Sequence, residues 1–276
     1  MNLALGVLGA LVGSYLNVLS LRFSPEEGFK ASHRGRSHCL YCGKTLKWYE
    51  LIPLVSFIIQ GGKCRSCRHF LSFQYPIVEL LSALVFILIP WKLGWSAITV
   101  LWILTFLVFI IVAVIDLRLG IIPDKLNLLL VVLGLLIAGF TYFQNNFTSS
   151  LLGSYALLFQ FGEGNFWINR LAGISFGLLF LGAIYFFTKG KAMGFGDVKL
   201  AGALGLLLGW PDAALALVLA FLVGSFFVLP LLLTRKKALR DALPFGPFMV
   251  LGVTLVFFFG YHILNGYFQI IGLYGI

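Results

Sequence analysis

Long apolar runs broken by short polar stretches fill most of the 276 residues after position 70. Runs at roughly 1–20, 76–91, 97–115, 126–143, 170–188, 198–210, 213–233 and 245–264 predict eight helical spans. Most approach the ~20 apolar residues that a bilayer-crossing helix needs. The run at 198–210 is the weak one, too short for a full crossing, with Gly202, Gly205 and Gly209 along it. It reads as a short, tilted or half-buried helix. Met1 to Ser20 has no basic leader and no A-x-A cleavage site, so it is expected to be a retained first span rather than a removed signal peptide.

Composition sharpens this pattern into a class. The chain is 60% hydrophobic and 11% charged, against about a quarter charged in an ordinary soluble domain. Mean hydropathy is +1.00. The expected fold is an all-α polytopic membrane protein of about eight transmembrane helices, with a polar insert between the first two. A net charge of +10 would suggest nucleic acid in a soluble protein, but here its distribution matters more. If the first span ends in the cytoplasm and the others alternate, eighteen Lys and Arg fall inside and only Lys92 and Arg170 outside. That asymmetry obeys the positive-inside rule, and the count includes 198–210 as a crossing, since otherwise Arg235-Lys236-Lys237 would face outward.

All four cysteines lie in the insert, as Cys39-Leu40-Tyr41-Cys42 and Cys64-Arg65-Ser66-Cys67. Each C-x2-C turn aims two thiolates at one point, and two such turns complete a tetrahedral zinc site. Gly43, Gly61 and Gly62 suit tight knuckle turns, and Lys44, Lys63, Arg65 and Arg68 are expected to hold thiolates ionised. A reducing cytosol disfavours stable disulfides; the rivals to a metal site are a redox pair or, if the topology is inverted, two disulfides. His33, His38 and His69 are alternative ligands that read better as loop histidines. Four thiolates leave no open position, so the metal would be structural Zn2+ stapling a zinc-ribbon-like insert with little core of its own.

The acids carry the candidate chemistry. Asp116 and Asp197 each sit where an apolar run stops, and carboxylates at a membrane segment are costly enough to suggest function. Alternation puts both at one cytoplasmic depth, although 81 positions separate them. Gly173, Gly177, Gly182 and Ala183 would let their helices approach. Gly194-Phe195-Gly196-Asp197-Val198-Lys199 adds glycines that admit an extended peptide and strained backbone angles. Asp116 has a plain alternative, a helix-end partner of Arg118. Asp124 follows Pro123 at a helix start and reads as an N-cap or orienting residue, with direct catalysis as its rival reading. Asp212, after Pro211, reads as another N-cap, and Asp241 as a balance for nearby basic residues. Glu79 is either an N-terminal dipole partner or functional.

Several segments together resemble the type IV prepilin peptidases, GxGD-type aspartyl proteases of bacteria. They are Gly13 to Val18, the two knuckles, Trp48 to Leu54, Tyr75 to Leu80, Ile115-Asp116 eight residues ahead of Asp124, Gly194 to Lys199, and Pro244-Phe245-Gly246-Pro247. The stretch 144–169 looks longer than the family pattern and contains a formal glycosylation sequon at Asn145 to Thr148. The resemblance implies Asp116 and Asp197 as the catalytic pair, with Asp124, Gly194, Gly196 and Lys199 supporting the peptidase site. It also implies removal of a short basic leader from type IV prepilins or type II secretion pseudopilins, at the cytoplasmic face of the bacterial inner membrane. Cleavage would follow a glycine just before the substrate's apolar helix. The partners would be those precursors and the lipid bilayer, with no nucleic acid.

The same resemblance implies methylation of the new N-terminus by S-adenosylmethionine. No Rossmann-type GxGxxG loop is present, so the donor site is sought near Asn17, Arg22, Glu50 and Glu79. Arg22 has an interfacial anchor as its alternative, and Glu50 a pairing with Lys47. The domain division that follows is 1–75, first helix plus four-cysteine insert with any methyltransferase part, and 76–276, a transmembrane peptidase domain. Two other classes compete: a proton-coupled transporter, which would hold its acids near the midplane on broken helices, and a scaffold whose insert docks a secretion partner.

Overall fold

The computed structural model describes residues 2–29, 35–144, 151, 152, 155, 166–233 and 244–270. His33, the sequon at 145–148, Arg235 to Lys237, Arg240 and Asp241 lie outside these residues. The helices are α1 (Asn2–Arg22), α2 (Val55–Ile59), α3 (Gln74–Leu93), α4 (Ala97–Leu119), α5 (Asp124–Phe143), α6 (Phe166–Thr188), α7 (Phe195–Leu208), α8 (Asp212–Leu233) and α9 (Gly246–Ile270). A 3-10 turn, Trp48–Leu51, precedes α2. Among the described residues there are isolated β-bridges but no strand.

Seven of these helices are long and apolar enough to cross a membrane, so this is a multi-pass membrane protein. All eight predicted runs form helices, and α7 is the exception in length. Its 14 residues rise about 21 Å at 1.5 Å each, short of a ~30 Å hydrocarbon core. Nearly every α7 side chain from Asp197 to Leu208 is buried, Lys199 excepted. It is therefore a core helix wrapped by other helices rather than a lipid-facing one.

The chain forms two compact units, Met1–Ile115 and Asp116–Ile276, and the boundary falls within α4. In the first, α1 and α3 run antiparallel along a seam of small residues. A Cβ on Gly9 would lie 2.6 Å from Ser82 O, and one on Gly13 2.8 Å from the Cα of Glu79. Small side chains permit this approach where lipid offers no hydrophobic drive for helix pairing.

In the second unit α7 packs on α6 through the same device. A Cβ on Gly173 would meet Gly205 O at 2.7 Å, and one on Gly177 would meet Ala201 O at 2.5 Å. Gly182 makes only ordinary contact, with Val198 at 3.8 Å. Gly252 of α9 sits against Ala216 and Ala220 of α8, and Gly134 of α5 against Leu206 of α7. The C-terminal end of α7 is held by Arg170 of α6, whose buried guanidinium donates to Leu206 O at 3.0 Å and to Leu207 O. Asp212, the first residue of α8, is buried and electrostatically coupled to Arg170.

Candidate functional site

Helix ends build the candidate active site. Asp116 lies inside the last turn of α4, which continues to Leu119, and Asp197 lies in the first turn of α7. Both are buried, and Asp116 is within electrostatic reach of Asp197. Each carboxylate is anchored by one glycine N–H: Gly246 donates to Asp116 Oδ2 at 2.9 Å, and Gly194 to Asp197 Oδ2 at 3.0 Å. Ile122 stands between the two halves. Its Cβ would lie 3.2 Å from a Cβ on Gly196, and its Cδ1 3.3 Å from one on Gly246.

Neither glycine of the motif takes an unusual backbone angle, contrary to the sequence expectation, and only Gly196 is sterically tight. Gly194 has φ −79° and ψ 158°, ordinary extended backbone at an N-cap, and Gly196 is helical. Gly196 is needed because Ile122 crowds it, and Asn127 Nδ2 donates to its carbonyl at 3.4 Å. Gly246, absent from the sequence-derived site, is the most constrained of these positions, since a Cβ there would sit 2.7 Å from Asp116 Oδ2. Its signal was present in Pro244-Phe245-Gly246-Pro247, but the partner lies 130 positions away.

Asp124 is not the N-cap. Pro123 occupies that position, and Asp124 is the first helical residue of α5. Its Oδ1 accepts from Lys199 Nζ at 2.7 Å, tying the start of α5 to the first turns of α7 beside Asp197. Both partners are substantially exposed, so solvent screens the pair.

The four cysteines converge. Their Sγ atoms all lie within 4.8 Å of one another, and Cys39 and Cys67 are 3.9 Å apart. A tetrahedral ion with ~2.3 Å bonds to sulfur asks for about 3.8 Å between sulfurs, so the donor set fits a metal after small adjustment. The two knuckles repeat one turn: Gly43 N–H donates to Cys39 O, and Arg68 N–H to Cys64 O, both at 2.9 Å. Gly43 has φ 69° and its counterpart Arg68 φ 55°, so a left-handed residue closes each knuckle.

The basic side chains turn elsewhere than expected. Lys44 Nζ donates to Ser66 Oγ at 2.7 Å, Lys63 lies over Phe70, and Arg65 over Tyr49. Backbone N–H groups of Cys67 and Ser66 are what draw the Cys64 thiol down to about 6. At Cys67 the His69 N–H also lowers the thiol, but desolvation and the neighbouring cysteines push it up to about 11. His38 Nδ1 is hydrogen-bonded to Arg36 O, and His69 lies tilted against the Tyr41 ring. Neither belongs to the sulfur cluster.

The remaining candidates separate into two kinds. Asn17 and Glu79 face one another's helices on the α1–α3 seam. Asn17 Nδ2 donates to Tyr75 O at 3.1 Å, while its Oδ1 has no partner among the described residues. Glu79 stands beyond the first turn of α3, so it is no dipole partner. Its Oε2 accepts the Leu54 N–H at 2.8 Å, and Leu54 has φ 60°. Arg22 donates to the carbonyls of Gly35 and Arg36. Glu50 accepts from Lys47, through the backbone N–H rather than the ammonium.

A many-helix membrane protein with two glycine-anchored carboxylates at one helix-end cluster, and a four-thiol insert, defines the class to which comparisons can be held. The family described as Bacterial Peptidase A24 N-terminal domain matches residues 7–93, and the Type IV leader peptidase family matches residues 102–229. A protein of Bacillus subtilis called prepilin leader peptidase/N-methyltransferase is 32% identical over 261 residues, covering 95% of each chain. Proteins of the same name from Pseudomonas aeruginosa and Aeromonas salmonicida are each 32% identical, over 96% and 93% of this chain and 93% and 90% of their own. No solved structure matches. The chain belongs to the type IV leader peptidase family.

Proposed function

We propose that this protein removes the leader from prepilins or pseudopilins by aspartyl chemistry and then methylates the exposed N-terminus. The observation carrying the first activity is the anchored pair itself: Asp116 and Asp197, both buried, Asp116 within electrostatic reach of Asp197, and each bound by a single glycine N–H. Each carboxylate keeps its other oxygen for a substrate. Two adjacent carboxylates share one proton, which supplies an acid and a base from identical side chains. One takes a proton from water, the water oxygen bonds to the scissile carbonyl carbon, and the protonated partner donates to the carbonyl oxygen. Collapse of the tetrahedral adduct breaks the C–N bond, and the departing nitrogen receives the proton held by the first carboxylate. Asp124 and Lys199 set the α5–α7 edge beside this pair. The charge asymmetry of the sequence supports a cytoplasmic site in a bacterial inner membrane.

Cys39, Cys42, Cys64 and Cys67 would hold Zn2+, which closes the insert and takes no part in the cut. S-adenosylmethionine, when bound, supplies an electrophilic methyl group. Among the described residues, Asn17 Oδ1, without a partner there, and the buried Glu79 on the α1–α3 seam are acceptors that could receive a cationic ligand.

The test is processing of a prepilin by reconstituted protein. Asp116→Asn and Asp197→Asn should each lower the rate by at least about 10²–10⁴, the usual worth of a positioned proton donor or acceptor. Wild-type turnover by either variant sinks the dyad. Labelled methyl donor with mature pilin peptide tests the second activity separately. No transfer above background would leave a peptidase alone.

A further inference from the structure

Outside the spans, the insert exposes a cluster of large apolar side chains. Ile58, Ile59, Phe70 and Phe73 are 68–75% exposed. With Phe57 and Leu71, three of them line a groove of about 500 Å³ floored by Gly61 and Gly62. Patches of this kind mark interaction surfaces. Two contacts fix the level at which the groove lies. Phe73 immediately precedes Gln74, where α3 begins, and its ring pairs with Phe57 of α2 at 5.8 Å. The Leu54 N–H, at the start of α2, is bound by Glu79. Glu79 is five residues into α3, about 7.5 Å along the helix. The groove is therefore drawn down beside the first turns of a helix that enters the membrane, instead of standing off in solution.

Charge names the occupant. Between residues 36 and 73 the basic residues are Arg36, Lys44, Lys47, Lys63, Arg65 and Arg68, and the only acid is Glu50, already held by the Lys47 N–H. Lys63 carries its ammonium 4.6 Å over the Phe70 ring, a cation set against an aromatic residue that lines the groove. Apolar groove, aromatic rim and basic fringe together match the boundary between acyl chains and anionic headgroups. We propose that the insert lies on the bilayer its own helices cross, with the 55–59 and 70–73 segments seated at the headgroup–acyl boundary of the leaflet that α3 enters at Gln74. This docking is independent of the peptidase and methyltransferase readings. Its consequence for them is that the four-cysteine knuckles are held at the membrane surface by Glu79, acting as a tether.

The full-length protein in nanodiscs containing phosphatidylglycerol tests this. Photoactivation of Ile58→p-benzoylphenylalanine and Phe70→p-benzoylphenylalanine should give phospholipid adducts severalfold above Leu40→p-benzoylphenylalanine, and less adduct in pure phosphatidylcholine. Hydroxyl-radical footprinting of the unaltered protein guards against a misfolded variant. Residues 57–59, Phe70 and Phe73 should be protected in nanodiscs while Leu40 is labelled. Equal adducts at all three positions, or crosslinks in native membranes that go to a prepilin or another protein instead of lipid, would overturn the proposal. So would footprinting that labels the 57–59 segment as fully as Leu40.

Discussion

At the scale of residues, the proposed site depends on what a glycine leaves out. Gly246→Ala would drive a methyl group to 2.7 Å from Asp116 Oδ2, forcing the carboxylate or the start of α9 to move. Overpacking of this kind costs about 1–3 kcal/mol. The expected outcome is a folded protein with prepilin cleavage reduced at least as much as its stability suggests, read by processing rate beside thermal unfolding in the same detergent. Lys199 and Asp124 call for a different expectation. Their 2.7 Å pair is exposed, so a double-mutant cycle with Lys199→Met and Asp124→Asn should return a coupling of no more than about 1 kcal/mol in stability. A larger loss of cleavage than of stability would assign the pair to substrate handling. Asp116 and Asp197 stood out in the sequence because a carboxylate in so apolar a chain has few uses, and they are buried at helix ends in the fold. Gly246 did not stand out, since a steric requirement has no signature until its partner is known.

At the scale of elements, α7 shows where pattern reading stops. Its apolar run looked like a weak span. In the fold it is a core helix, 14 residues long, with its deep end completed by Arg170. That guanidinium lies against the last carbonyls of α7 and is coupled to buried Asp212, a cation at the negative end of a helix. Arg170→Met should strand Asp212 and two carbonyls, costing about 3–5 kcal/mol. Chemical or thermal unfolding followed by near-UV circular dichroism measures it, and a change below 1 kcal/mol (about the worth of an exposed pair) would mean that the carbonyls find other partners. The small-residue seams were legible in the glycines of 173 and 177, but their registers were not. Gly182, chosen by the same rule, packs against nothing closer than Val198 at 3.8 Å. The N-cap expected at Asp124 moved to Pro123, because helix starts read from sequence are uncertain by a residue or two.

At the scale of the whole molecule, the chain divides at Ile115 into two units, and the thiol cluster belongs to the first. Removal of bound metal by a chelator should raise amide exchange over 36–73 while the amides of α6 and α7 keep their protection, as hydrogen-exchange mass spectrometry would show. Exchange rising equally in α7 would argue that the insert's staple supports the second unit as well. Sequence by itself determined the membrane class, the positions of the spans, the four-cysteine insert and the two costly aspartates. These follow from local composition, periodicity and spacing, which physics fixes before any folding occurs. Tertiary structure alone decided which glycine N–H groups hold the carboxylates, that Lys199 meets Asp124, that Arg170 completes α7, and that backbone donors rather than lysines act on Cys64. The Gly246, Lys199 and Arg170 contacts join residues distant in sequence and exist only after helices have chosen their neighbours by close packing. The Gly194 and Cys64 contacts are local, and depend on the turn geometry and side-chain direction that the fold selects.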